Sequence, residues 1–577
     1  MTINPNKTTA PPTQGVSQPN PNGRNPKHTP HLGVTMSQTQ AAQIAQTLIP
    51  SPDPTLTRAI RTKLQGKGQR EKKRREAGEL LLGWLQQNGE FLRSEDNDIF
   101  YLYWAERCLY KLDTNRWHAW LYSLTGANPS GKDFSYFVAD CKTAAMLSNK
   151  RKVVRLAFWD KDSKTLRVSR FDGTVYCLDG QTIIEEVNGE SVIFNDDPSY
   201  QPYDPDYSKP GTFTWMADAY FDYSEAAKSD PMLAKAEQEC YRLALRVWEL
   251  VIFFTELTPT RPALTIVGEK GSGKSMTLRR FLRALFGTNA ELSGVPDKPD
   301  GFTAAAAASH IVAIDNLDEF YGWMRDKISR LTTGAMDEYR QYYTSHEVGR
   351  IHYRCWLAFT SRNPATLQRD DLADRLVLIP CQRIPEQDLK AERAFLDAVD
   401  QVRNAWWGSI LMTLNTIVAA IRGGWLSSKS VLRMADWESL GRVIAKIYNQ
   451  EKTWDNFIEN LKQNQSDLLL EGNLIVEGIE QWLDAQPAKA LIASNEGREI
   501  STRDLHTEME TLLFPGIKTS ADWPKRLDTF GLKLKHMNRE LKKVFDCETT
   551  KRGSRKTVWW FWHKGNKPAS WQIPSVP

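Results

Sequence analysis

ALTIVGEKGSGKSMTLRRFLRALFG, residues 263–287, divides into three parts that belong together in space. Leu264, Thr265, Ile266 and Val267 are apolar or β-branched and read as a buried strand. Gly268, Glu269, Lys270, Gly271, Ser272, Gly273, Lys274 and Ser275 follow the GxxxxGK[ST] pattern at every required position, with Met276 next to them. Leu278, Phe281, Leu282 and Leu285 then recur at helical spacing, and Gly287 sits where a C-terminal cap belongs. Such glycines let backbone N–H groups curl around phosphate oxygens, and the helix N-terminus adds partial positive charge. Lys274 is placed to reach β- and γ-phosphates, and the Ser275 hydroxyl to bind Mg²⁺.

Outward from that stretch, the 577-residue chain is too long for one core and implies three or four domains. Its 41 % hydrophobic content supports globular folding, while a formal charge of +5 permits nucleic acid as a partner without selecting it. Seven scattered cysteines, with no CxxC pair and no histidine cluster, argue against a disulfide framework or a zinc site and imply a reducing compartment. No apolar run approaches the ~20 residues that span a bilayer, and the N-terminus lacks a signal peptide's apolar core. A cytoplasmic protein with no membrane partner is expected.

Residues 1–54, rich in Pro, Asn, Gln and Thr, lack apolar periodicity and are expected to be a disordered tail. Residues 55–89 form a basic helical segment, whose run from Arg58 to Arg75 suits either a solvated helix face or a phosphate-contacting arm. An α+β domain with a β-meander is expected over 90–210, with turns at Asp160–Lys164 and Asp172-Gly173. Asp160 and Asp162 read as turn chemistry beside Ser163 rather than as a metal pair. Residues 211–262 form a helical collar or linker whose long helix runs roughly from Met232 to Glu256.

Downstream of Lys274, Ile311–Ile314 is a second buried strand with Asp315 at its carboxyl end, where a carboxylate can hold the hydration shell of Mg²⁺ beside Ser275. A third strand, Cys355–Phe359, ends in Thr360, Ser361, Arg362 and Asn363, which present a polar group for positioning water. A fourth, Leu376–Ile379, follows Arg375. That arginine either pairs with Asp370, Asp371 or Asp374 or reaches a neighbouring subunit's γ-phosphate.

In this order, GEKGSGKS, AIDNLDE, KISRLTTGAMDEYRQYY, LAFTSRNP and DLADRLVLIP resemble the superfamily 3 helicase module of the AAA+ class. The resemblance covers about residues 240–425 and is strongest to the primase-helicase-like ATPases of phages, plasmids and integrated elements. It implies an ATPase core at 263–385 that uses ATP and Mg²⁺, with Walker A at Gly268–Ser275, Walker B at Asp315, a sensor asparagine at Asn363 and an arginine finger at Arg375. It also implies a hairpin within Lys327–Arg354 that grips one DNA strand, for which Arg340, His346, Arg350, His352 and Arg354 supply charge. The chain departs from many relatives at Asn316, which stands where they carry a second acid. Asparagine is no general base, so Asp318 or Glu319 must activate water or hydrolysis is slow.

Residues 386–490 are expected to form a helical lid and connector, and 566–577 a tail. Residues 491–565 resemble a winged helix: a short strand at Glu499-Ile500, a helix from Ser501, a third helix from about Thr529 to Lys543, and two strands around KRGSRK. Lys533, Lys535, Arg539, Lys542 and Lys543 put charge on the third helix, Leu532, Leu534 and Leu541 are available for its buried side, and Lys551, Arg552, Arg555 and Lys556 lie in the wing. Trp559, Trp560 and Trp562 read as packing for the wing strands.

The fold class expected is therefore α/β: an AAA+ P-loop core with an upstream α+β domain and a C-terminal winged-helix domain. The expected function is an ATP-dependent DNA motor in the replication of a mobile or viral element. It would act as a homo-oligomeric ring, a hexamer, with ATP at subunit interfaces, single-stranded DNA in the pore and duplex at the winged helix. Two alternatives stay open: a DNA-bound AAA+ switch or loader that does not unwind, and a defence-type sensor ATPase.

Overall fold

Asp53 starts the first helix by accepting hydrogen bonds from Thr55 N and Leu56 N (2.8 and 3.0 Å), with Pro54 in the first turn where its missing N–H costs nothing. The computed structural model describes residues 52–208, 220–318, 321–340, 348–362, 370–427, 429–470, 473–485, 498–512, 517, 520, 523–552 and 556–573. Helices α1 (Pro54–Gln65) and α2 (Arg70–Asn88) lead into an antiparallel sheet of β1 (Gly89–Arg93), β2 (Ile99–Tyr103) and β3 (Cys108–Lys111), followed by α3 (Asn115–Thr125) and α4 (Lys132–Leu147). Its core is aromatic: Tyr101, Trp117, Trp120 and Phe137 are buried with Leu81 and Leu85. Much of the basic segment is paired within this unit, Lys63 with Glu76 (3.1 Å), Arg74 with Asp133 (2.6 Å) and Arg75 with Glu79 (3.0 Å). The solvated-face reading fits those residues.

Next come β4 (Val153–Val154), the meander β5 (Ala157–Asp160), β6 (Thr165–Ser169), β7 (Thr174–Leu178) and β8 (Ile183–Val187), and β9 (Ile193–Phe194), which pairs with β4. Asp160 accepts from Asp162 N (3.0 Å) and Ser163 Oγ (2.8 Å), so it shapes the turn. After α5 (Glu225–Ser229), the long helix α6 (Pro231–Val251) ends five residues earlier than expected. The central unit then runs β10 (Ala263–Gly268), α7 (Lys274–Phe286), α8 (Pro299–Ala308), β11 (Ile311–Ile314), α9 (Gly322–Thr332), the hairpin β12 (Met336–Arg340) and β13 (Val348–His352), β14 (Trp356–Ser361), α10 (Asp370–Ala373) and β15 (Leu376–Cys381). Strands β11, β14, β10 and β15 form one parallel sheet in that spatial order. Because it is buried on both faces, its strands are almost continuously apolar.

Helices α11 (Glu392–Arg422), α12 (Ala435–Ile447) and α13 (Glu451–Leu470) complete this unit. One buried cluster joins Trp159, Leu166 and Tyr176 of the meander to Trp248, Leu264, Phe281, Trp407, Trp437 and Trp454. That core runs across the boundaries expected at 210 and 385 and joins residues of the meander and of α11–α13 to those of the parallel sheet.

The C-terminal region contains α14 (Leu474–Asp484), β16 (Arg498–Ser501), α15 (Thr502–Leu512), α16 (Leu527–His536), α17 (Asn538–Val544), β17 (Phe545–Arg552) and β18 (Lys556–His563), with the antiparallel order β16-β18-β17. The expected third helix breaks at Met537 into α16 and α17. Phe530, Leu534 and Met537 recur at helical spacing and make the buried face, whereas Leu532, about 200° around the helix from Leu534, is 55 % exposed. Leu534 and Leu541 are buried as expected; Leu532 is a correction. Trp559 packs into this core, while Trp560 and Trp562 pack with Trp571 on the other face of the sheet. Among the described residues no helix is long and apolar enough to cross a membrane.

His310, ahead of β11, is buried with Nε2 2.9 Å from the Ile252 carbonyl, and burial pushes its pKa down to about 3. The unfolded chain takes up this proton near pH 6.5, the folded protein only near 3. Stability from this group is therefore full above pH 6.5 and is lost as pH falls toward 3, by about 3 kcal/mol at pH 4. His310→Gln, which retains an N–H donor for Ile252, should flatten that slope in urea titrations at pH 7 and pH 4. A variant as acid-sensitive as the parent removes His310 as the cause.

Candidate functional site

The carboxyl ends of β10, β11 and β14 bring their polar residues to one edge of the parallel sheet, the position at which open α/β sheets bind ligands. At Gly268 a Cβ would lie 2.0 Å from the Cys381 carbonyl oxygen, and Gly273, at the start of α7, has φ +77°. The backbone itself thus demands glycine there. Lys274 opens α7, and its ammonium donates to the carbonyls of Gly268 (2.7 Å) and Glu269 (2.9 Å). Burial pulls its pKa down, against the nearby carboxylates of Asp318 and Asp315.

Ser275 Oγ donates to Asp315 Oδ1 at 2.6 Å, and Thr360 Oγ1 donates to the same oxygen at 2.5 Å. Thr360 Oγ1 also accepts from Asn316 N at 2.8 Å. One carboxylate oxygen therefore ties α7, the end of β11 and the end of β14 together. A hydroxyl and a carboxylate converging in this way are hard oxygen donors suited to Mg²⁺, which completes its shell with water and phosphate. No group of three or more His, Cys, Asp or Glu among the described residues offers a closed metal cage.

Asn316 turns the chain with φ +57°, setting Asp318 against the end of β14. Asp318 Oδ1 accepts from Arg362 N (2.6 Å) and Ser361 Oγ (3.2 Å), and Oδ2 from Arg362 Nε (2.5 Å). Burial would raise the Asp318 pKa, but the Arg362 hydrogen bonds and charge outweigh it and hold the carboxyl below its usual range. In this arrangement the Asp318 carboxylate, one of the two acids expected to activate water, is engaged by Arg362 and is a weaker proton acceptor than a free one. Glu319 and Asn363 lie outside the described residues.

Arg375 departs furthest from expectation. It is only 6 % exposed, and its Nη1 donates to the Ser329 carbonyl at 2.8 Å and to Ser329 Oγ. A guanidinium enclosed in its own subunit is not presented to a neighbour's nucleotide, so this placement does not provide the expected finger.

Arg340 and Arg350 lie on the paired strands β12 and β13, opposite Val348 and Glu338. His346, in the connecting segment, is outside the described residues. His352, at the hairpin base, pairs with Asp96, and Arg354 pairs with Glu95 at 2.8 Å. Both acids lie between β1 and β2, and the Arg354 hydrogen bond keeps Glu95 below the usual carboxylate range. His352, expected to be available to nucleic acid, is instead engaged by an acid.

In the C-terminal region a cleft of about 1050 Å³ lies among α15, α16 and the β17–β18 hairpin, lined by Arg503, Lys535, Asn538, Thr550, Lys551 and Lys556. Asp504 and Asp528 also line it, but Asp504 accepts from Ser501 (2.6 Å) and Asp528 pairs with Arg526 (2.7 Å). Lys533 and Arg539 are exposed. Arg552 belongs to β17, and Arg555 is outside the described residues. The sequence reading missed Arg503 and Asn538; a basic residue in the first turn of the helix from Ser501 was the available signal.

Residues 231–451 match the family model for the actinomycete integrative conjugative element replication protein. The matched segment runs from the start of α6 to the start of α13 and contains the whole parallel sheet. No curated protein matches the chain. Among solved structures, the apo C-terminal region of NrS-1 shares 11 % identity at a TM-score of 0.36, covering 83 % of this chain and 97 % of that one. SCCmec type IV Cch, described as an active helicase, shares 11 % identity at 0.42, covering 82 % and 92 %. A likeness this loose transfers no chemistry.

Proposed function

We propose that this protein is an ATP-driven DNA motor of the AAA+ class serving replication of a mobile element, assembled as a ring with ATP between subunits. The observation that carries the reading is the convergence of Ser275, Asp315 and Thr360 beside the glycine loop and Lys274. In this reading the loop N–H groups and Lys274 hold the triphosphate, while Ser275 and the Asp315 carboxylate hold Mg²⁺. The ion, when bound, neutralises charge on the β- and γ-phosphate oxygens. Thr360 fixes the Asp315 carboxylate. Asp318, engaged by Arg362 in this arrangement, and Glu319 are the two acids shortly after Asp315 in the sequence that could receive the proton of the attacking water.

The β12–β13 hairpin would move with hydrolysis and carry a single DNA strand. The C-terminal region, read as a winged helix on its helices and three-stranded sheet, would hold duplex in the basic cleft. The test is strand displacement on forked DNA by the purified protein beside Lys274→Ala. ATP hydrolysis without displacement on any fork would remove the motor and select the switch or loader reading, which Asn316 favours because no acid directly follows Asp315.

The acidic turn gives this reading a second test. Exposed ion pairs are weak, so DNA phosphates can compete with Glu95 and Asp96 for Arg354 and His352. Glu95→Gln with Asp96→Asn should raise affinity for single-stranded DNA several-fold. The slope of log K against log salt should steepen by about 0.7 to 1.4, one cation or two being unmasked. Unchanged affinity and slope would show that these cations do not face DNA.

A further inference from the structure

We propose that Arg362 reads the terminal phosphate of a nucleoside triphosphate held on the Gly268–Ser275 loop of its own subunit, and that Asp318 is the seat it leaves to do so. This inference rests on the phosphate-binding reading of that loop.

Strand register places the arginine. β10 and β14 are parallel, with Val267 beside Ser361, so Arg362 follows at the level of Gly268, the first glycine of the loop. Adjacent strands lie about 4.8 Å apart, and Lys274 Nζ sits on the carbonyl of that same glycine. Arg362 therefore springs from the strand next to the loop, on the edge where Lys274, Ser275 and Asp315 converge.

The surroundings fix the backbone and leave the head group available. Arg362 N donates to Asp318 Oδ1 at 2.6 Å, and the preceding Ser361 Oγ donates to the Leu317 carbonyl at 3.2 Å. The Arg362 side chain is 54 % exposed and is engaged through Nε with Asp318 Oδ2. Its two terminal nitrogens make no hydrogen bond among the described residues, leaving the planar fork that matches phosphate oxygens two at a time.

Charge then decides which partner wins. Without nucleotide, one carboxylate holds the guanidinium. A triphosphate on the loop sets several negative oxygens beside it, and transfer frees one Asp318 oxygen. A diphosphate ends one phosphate short and leaves the pair closed. Arg375, enclosed against Ser329, is not placed to do this.

Calorimetric titration of the full chain with ATPγS and with ADP, both with Mg²⁺, tests the assignment. Arg362→Ala should weaken ATPγS about 10- to 100-fold, the range for losing a charged hydrogen-bonding pair, and leave ADP within about twofold. Asp318→Asn, which loosens the seat, should tighten ATPγS several-fold with ADP unchanged. Equal losses for both nucleotides in Arg362→Ala, or no loss for either, overturn the inference. Should Arg362→Ala not fold, Asp318→Asn decides alone, with unchanged ATPγS affinity overturning it. Parent protein that binds neither nucleotide ends the phosphate-binding reading and this inference together. Lys274-dependent ATPγS binding in the parent, with the parental ATPγS-to-ADP ratio kept in Arg362→Ala, ends this inference alone.

Discussion

Lys274→Ala is expected to reduce ATP hydrolysis by at least about 10²–10³-fold, the scale for removing one preorganised charge-stabilising donor, and to take ATPγS binding below detection. Two contributions disappear together. The ammonium is the cation nearest the loop carbonyls, bonded to Gly268 and Glu269 at 2.7 and 2.9 Å, and those same bonds pin the loop in its turn. Stability should change little, because these bonds serve a loop at the sheet edge and not the apolar core. Ser275→Ala separates the charge from the metal: it leaves Lys274 intact but removes one of the two hydroxyls that donate to Asp315. That variant should keep nucleotide affinity in the absence of Mg²⁺ and lose the increment that Mg²⁺ adds. Hydrolysis by Lys274→Ala at the parental rate would show that the substrate is held elsewhere.

The glycine loop was legible because its pattern sets particular residues at neighbouring positions, and steric demands such as that at Gly268 act on the residue itself. The four strands were legible because burial on both faces writes each as an apolar run. Asp315 followed from its place at a strand end. What stayed hidden depends on pairs remote in sequence: Thr360 with Asp315, Arg362 with Asp318, Arg375 with Ser329 and Asp96 with His352 are 44 to 256 residues apart. No local spacing encodes such a meeting. The meander shows a related limit, since alternation reveals that one face is covered without naming the cover, here α11. Leu532 shows another: an apolar count along a helix does not fix its phase, which here follows Phe530 and Leu534.

Arg375→Ala is expected to lower the stability of the isolated subunit by about 2–4 kcal/mol, an effect a surface finger would not produce. Ser329 lies in the last turn of α9, where carbonyls lack helical partners, and the Arg375 guanidinium supplies a donor and a positive charge at that negative end. The Arg375 carbonyl accepts from Ala263 N at 2.9 Å, so the same residue joins the beginnings of β10 and β15. Truncating it should loosen α9 against the sheet, and with it the β12–β13 hairpin that follows α9 within four residues. Urea unfolding should report the loss at protein concentrations too low for assembly. Mixing then separates the two roles. If Arg375 acted across an interface, Lys274→Ala and Arg375→Ala subunits would restore one another, because some seams would unite an intact loop with an intact arginine. A residue that holds its own subunit together gives no such recovery, and no recovery is the expected result. Restored hydrolysis in the mixture, with a parental urea midpoint for Arg375→Ala alone, would return the finger role to Arg375 and require the side chain to leave Ser329 when subunits meet.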